Sequence, residues 1–246
     1  MLNFNEYQKL SELIKSNPEL EPIINNMSLV SLSELSIDSH DIKNYIAYLK
    51  TTFQLVRKKS PEICDNPYFN RMEKVISQLI YHMERTTLYR YSMKKTEKVS
   101  VSINNIMYEI PDIIDDTLDN SCEFSFCLDD IPDILINPEQ LKTLLTEAVL
   151  NACEASGCSG ETTLITRKES DSILVQIVNN RIISDDNHSG NAPLDYNQLI
   201  KPFFSTKKDH VGVGLSIIHQ ICLSNNAKAD IHEQDGKTVL SILFQL

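Results

Sequence analysis

Two apolar seams, each spaced in alternating steps of three and four, run through the first part of this 246-residue chain. Ile42, Ile46, Leu49, Phe53 and Val56 form the first; Phe69, Met72, Ile76, Leu79, Met83 and Thr86 form the second. Such spacing keeps one helical face turned toward a partner helix. Pro61 and Pro67 punctuate the stretch between the seams and mark a loop there. An antiparallel helical hairpin over 31–96 is the expectation. A lone hairpin buries only one stripe per helix, so it is expected to pair with a second copy into a four-helix bundle, as a homodimer.

The chain then changes character. All six glycines (Gly157, Gly160, Gly190, Gly212, Gly214, Gly236) lie in its last 90 residues, so helix breaks and ligand loops are expected there. Alternation predicts strands at 99–103 and 122–128, with a helix-like segment between them interrupted by Pro111. Asn137 at an N-cap position and Pro138 just inside predict a helix over 138–156, with Leu141, Leu144, Leu145, Ala148, Ala152 and Ala155 as its apolar face. Strands near 161–168 and 171–178 follow, then a helix at about 213–224 and strands near 227–232 and 238–245. The polar stretch 180–211 between them is long for a loop in a compact domain, which makes it a candidate ligand lid. The expected class is α+β: a helical extension over 1–30, the hairpin, and an α/β domain over 97–246.

A net charge of −11 argues against broad binding to nucleic acid or an anionic membrane. Between His40 and Lys98, however, twelve Lys or Arg stand against six Asp or Glu. This basic stretch fits either an acidic partner or a hairpin that solvates itself with lysines. No apolar run approaches the roughly 20 residues needed to span a bilayer, and the amino terminus lacks a basic region followed by an apolar core. A cytoplasmic location is expected. The six cysteines form no CxxC pair, so reduced thiols are expected rather than a zinc site.

Three constellations carry chemistry. In Ser39-His40-Asp41-Ile42-Lys43-Asn44, His40 precedes the seam residue Ile42 by two and so points away from the buried face. An exposed imidazole beside a carboxylate can act as a nucleophile, the acid orienting the ring and accepting its proton. In Glu147-Ala-Val-Leu-Asn151-Ala-Cys-Glu154-Ala155, Glu147, Asn151 and Glu154 share one helical face. That spacing also describes a solvated face, but an amide and a carboxylate so placed suit magnesium, which takes few protein oxygens and completes its shell with water and phosphates. Finally, Lys201-Pro-Phe-Phe-Ser-Thr-Lys-Lys-Asp-His-Val-Gly-Val-Gly-Leu215-Ser216 ends in a GxG at a helix start, where backbone approaches phosphate closely and N–H groups are unpaired.

Together, over about residues 30–246, these motifs resemble a two-component histidine kinase core. HDIKN resembles the family's H-box, ExxxNAxEA resembles the N-box of the GHKL ATPase superfamily, and PFFSTK with GVG resembles its F-box and second glycine box. The resemblance implies a GHKL-type (Bergerat) α/β two-layer sandwich that binds ATP and magnesium. His40 is then the phosphoacceptor, Asp41 its base, and Asn44 a residue positioning water. Asn151 holds the metal with Glu147 near the phosphates, and Glu154 shares their face. Phe203 and Phe204 anchor the lid, while Thr206, Lys207 and His210 lie near the triphosphate, beside Gly212, Gly214 and Leu215. The implied partner is a response regulator receiver domain.

One motif departs from the family. Where histidine kinases carry DxGxG, the strand ILVQIV runs into Asn179-Asn180-Arg181-Ile182-Ile183. Asn179 stands in the aspartate's place, and an amide oxygen accepts the adenine N–H without the charge that strengthens such bonds. The expected activity is ATP-dependent autophosphorylation on His40 followed by transfer to a receiver aspartate. The alternative is a phosphorelay phosphotransferase or pseudokinase scaffold with a non-catalytic ATPase-like domain.

Overall fold

The computed structural model describes residues 44–117, 122–157, 160–180, 196–205 and 210–246. Backbone contacts divide the chain into two compact units between Met83 and Glu84. His40 and Asp41 lie outside the described residues, as do Thr206, Lys207 and most of the stretch 180–211.

In the first unit, helix α1 covers residues 44–59 and a 3-10 turn, Pro61–Asp65, leads into helix α2, Pro67–Ser92, whose residues from Glu84 on belong to the second unit. Asn66 starts α2 by accepting the backbone N–H groups of Tyr68 and Phe69, with Pro67 at the first helical position, where its missing donor costs nothing. The two seams do face each other. Phe53 and Phe69 stack at 4.9 Å between ring centroids, and Ile46 and Phe69 are buried. Leu49, Met72 and Leu79, also seam residues, stay exposed together with Tyr45, Tyr48 and Leu55. The hairpin therefore leaves part of its apolar surface uncovered.

In the second unit, a five-stranded sheet has the order β2-β4-β5-β7-β6. Its strands are β2 (Glu123–Leu128), β4 (Glu161–Glu169), β5 (Ser172–Asn180), β6 (Ala227–Gln234) and β7 (Lys237–Gln245). Only β2 with β4 is parallel; the other pairs are antiparallel, and β2 and β6 are outermost. A separate antiparallel pair joins β1 (Val99–Val101) to β3 (Ile134–Ile136). Helices α3 (Ile103–Thr117), α4 (Pro138–Ser156) and α6 (Gly214–Ser224) build the second layer, and a short α5 (Tyr196–Leu199) precedes α6. Along β5, Ile173, Val175 and Ile177 are buried, while Leu174, Gln176 and Val178 between them are only half-buried. That alternation fits a sheet with one helix-covered face.

Helix α4 begins where its cap predicts. The Asn137 side chain accepts from the N–H groups of Glu139 and Gln140, Pro138 follows, and Gly157 ends the helix at a φ of 70°. Leu141, Leu144, Leu145, Ala148 and Val149 on it are essentially inaccessible. Asn137→Ala is expected to cost about 1 kcal/mol, read as a lower thermal-unfolding midpoint by circular dichroism with the fold retained.

Three features differ from expectation, the first being the short α5, Tyr196–Leu199, inside the stretch 180–211 expected as a loop. Pro111 does not interrupt its segment: α3 runs through it from Ile103 to Thr117. Ile103, Ile106, Met107, Ile110 and Ile114 are buried along one stripe. At roughly 1.5–3 kcal/mol for each such side chain, that burial outweighs the ~3 kcal/mol that an interior proline costs. Strand β3 was not anticipated, because three residues, Ile134–Ile136, are too few for alternation to register.

Candidate functional site

The face of α4 that turns toward α6 carries Glu147, Asn151 and Glu154, one helical turn apart each. Glu147 is 3% exposed, an unusual position for a carboxylate, and Asn151 and Glu154 are half-buried. The Asn151 side-chain nitrogen is buried and has no hydrogen-bond partner among the described residues. A buried, unsatisfied amide in a well-packed helix calls for an explanation, and a ligand site is one.

Gly214 opens α6 directly against this face. A Cβ placed there would stand 3.1 Å from both Glu147 Oε2 and Asn151 Nδ2, and 3.2 Å from Asn151 Oδ1, so glycine allows α6 to start close beside the two polar side chains. The preceding Val213 offers no side-chain cap, leaving the first N–H groups of α6 free of a capping side chain, which suits an anion. Leu215 is half-buried at the same helix start. Gly212, two residues earlier, has a φ of +71°, and a Cβ there would stand 2.4 Å from the Phe204 carbonyl oxygen. Both the left-handed backbone and the contact demand glycine.

Phe203 sits across this loop. Its N–H donates to the Gly212 carbonyl at 2.9 Å, and its φ of 67° is positive. The ring is half-exposed and meets Tyr89 of α2 edge-on at 6.4 Å. His210 places Nδ1 3.7 Å from Glu154 Oε2, so the approach to the glycine loop and the end of the α4 face lie side by side. Asn179, 4% exposed near the end of β5, is opposite Thr162 on β4 and Thr238 on β7. Behind it Thr162 touches Cys153 of α4 at 3.8 Å. Burial, with a hydrogen bond shared with Cys122 second, pushes the Cys153 thiol up to about 12, so it stays protonated near neutral pH.

The structure thus brings Glu147, Asn151, Glu154, His210, Gly212, Gly214 and Leu215 to one region of the second unit. Asn44 is on α1, exposed, and belongs to the first unit. One residue at the site escaped the sequence reading. Arg85, on the last turns of α2, donates both guanidinium arms to the two carboxylate oxygens of Glu147. An ion pair between positions 62 residues apart has no local signature; an arginine beside the apolar seam was the only sign of it.

Residues 136–246 match the family model described as histidine kinase-, DNA gyrase B-, and HSP90-like ATPase. The chain is 21% identical over 219 residues to the sensor histidine kinase ZraS of Escherichia coli (strain K12), covering 85% of this chain and 44% of that protein. It is 25% identical over 209 residues to sporulation kinase E of Bacillus subtilis (strain 168), covering 81% of this chain and 26% of that one. The chain spans about half or less of the length of these curated relatives. Among solved structures, full-length ShkA in complex with AMPPNP superposes with a TM-score of 0.67 at 12% identity, over 86% of this chain and 45% of that one. Histidine kinase ThkA in complex with the response regulator protein TrrA gives 0.58 at 18% identity, over 95% and 66%. At such identities the structures establish a shared fold. No helix among the described residues is long and apolar enough to cross a membrane.

Proposed function

We propose that this chain, whose residues 136–246 match the family model described as histidine kinase-, DNA gyrase B-, and HSP90-like ATPase, is the core of an ATP-dependent protein-histidine kinase that phosphorylates itself on His40. The phosphoryl group then passes to an aspartate of a response regulator receiver domain. The observation that carries this reading is the buried Asn151 amide nitrogen, without a hydrogen-bond partner among the described residues, packed against Gly214 at the start of α6.

The donor set fits a magnesium–nucleotide complex: one amide and one carboxylate on a helix face, beside a glycine-lined helix start. Asn151 and Glu147 would hold the metal, with Glu154 on the same face. When bound, magnesium would offset the charge of the phosphates. Gly212, Gly214 and Leu215 would present backbone N–H groups to those phosphates, with Thr206, Lys207 and His210 nearby. Asn179 would accept the adenine amino group through its side-chain oxygen, a neutral acceptor and so a weaker one than a carboxylate. At His40, Asp41 would take the ring proton as the imidazole attacks the γ-phosphorus and ADP leaves, and Asn44 would orient water in the hydrolytic dephosphorylation of a phosphorylated partner. Such transfers are catalysed chiefly by positioning and charge neutralisation. The exposed Leu49, Met72 and Leu79 of the hairpin support pairing with a second copy.

A phosphorelay protein with a non-catalytic ATPase-like domain is the second reading, favoured by the glycine-free run after Asn179. Incubation with γ-labelled ATP and magnesium separates the two. The kinase is expected to gain acid-labile label and pass it to a receiver domain. Wild-type protein that gains none from ATP, yet takes label from a phosphorylated receiver, would instead be the relay.

A further inference from the structure

We propose that Arg85 is a lock on Glu147, withholding this acid from a metal ion until a magnesium-bearing nucleotide displaces it. The proposal rests on the nucleotide-site reading above and deepens it to the regulation of that site.

Both arms of the Arg85 guanidinium reach both oxygens of the Glu147 carboxylate, the fork-to-fork arrangement that uses an arginine most fully. Side-chain exposure is 14% for Arg85 and 4% for Glu147, so water competes little for either partner. In this arrangement Glu147 has no oxygen left without a guanidinium donor. A carboxylate that is to bind a divalent cation must give up at least part of that pairing. The pair also stands beside the site: Glu147 Oε2 lies 3.1 Å from the Cβ position of Gly214, and the unpartnered Asn151 nitrogen lies as close to it. A metal held by Asn151 and Glu147 would therefore come in against Arg85.

Charge decides which arrivals can open the lock. A bare nucleotide brings negative charge toward Glu147 and nothing that substitutes for the guanidinium. A divalent cation brings twice the guanidinium's charge, and replacement by it leaves no buried carboxylate uncompensated. The lock is also tied to the glycine loop. Tyr89, one helical turn beyond Arg85 on α2, meets Phe203 edge-on at 6.4 Å, and Phe203 is hydrogen-bonded to Gly212. One short stretch of α2 thus contacts both the acid and the loop that would surround the phosphates.

The test is the ratio of nucleotide affinity with magnesium to affinity in chelator, by calorimetric titration of the full chain with ATP. In Arg85→Gln, which keeps a side chain in place but removes its charge, this ratio is expected to rise about tenfold over wild type. Arg85→Lys, charged but without the fork, is expected to fall between. If the wild type binds magnesium–ATP and the ratio in Arg85→Gln is unchanged or lower, Arg85 serves the nucleotide or the fold and the lock is wrong. If neither wild type nor Arg85→Gln binds nucleotide, the nucleotide-site reading itself fails and the lock with it. Should Arg85→Gln not fold, as judged by circular dichroism, Arg85→Lys decides on the same criterion: a raised ratio supports the lock and an equal or lower one overturns it.

Discussion

Asn151→Ala is expected to weaken magnesium–ATP binding on the order of 100-fold, a loss reached even by removing outer partners of a metal ligand set, and to leave no detectable label from γ-labelled ATP. Its side-chain nitrogen has no hydrogen-bond partner among the described residues, so its removal breaks no hydrogen bond to them through that atom. Stability is therefore expected to change little, and the thermal-unfolding midpoint should stay near that of wild type while binding collapses. A variant that loses binding and stability together would mean that the amide holds the helix packing instead. One that binds magnesium–ATP as well as the wild type would remove Asn151 from the metal site.

His40→Gln is expected to do the reverse. The variant should bind magnesium–ATP within about twofold of wild type, as independent sites do, yet acquire no acid-labile label and accept none from a phosphorylated receiver domain. Glutamine keeps polarity and approximate size but has no ring nitrogen to attack phosphorus. Retained labelling would move the acceptor to another residue. Measured side by side, the two variants separate nucleotide capture from phosphoryl acceptance: Asn151→Ala should lose both, and His40→Gln only the second.

Much of the architecture was legible because its signals are local. Asn137, Pro138 and Gly157 bracket α4 within a residue of its ends, since caps and terminators act on adjacent backbone groups. The hairpin seams were legible for a similar reason, although the structure shows only part of each seam covered within one chain: Ile46 and Phe69 are buried while Leu49, Met72 and Leu79 are not. Helix α3 was misread at Pro111 because a local rule was outweighed by a stripe of five buried apolar side chains. At the candidate site, Glu147, Asn151, Gly212 and Gly214 were visible through their spacing. Their mutual contact was not, since it depends on α6 starting against α4. Arg85 was invisible, because what gives it meaning is Glu147, far along the chain.

The order of the strands also bears on how copies of the chain can associate. At the outer edge, β6 displays Lys228, Asp230 and Glu233 to solvent, so a strand from another molecule laid alongside would have to strip water from charges of both signs. The opposite edge strand, β2, begins with exposed Glu123, and Tyr108 of α3 leans over its Phe126 at 5.2 Å between ring centroids. Neither border invites continuation of the sheet into a ribbon. Open-ended growth is thereby discouraged at the strands, and the uncovered apolar side chains lie instead on helical surfaces such as the hairpin's.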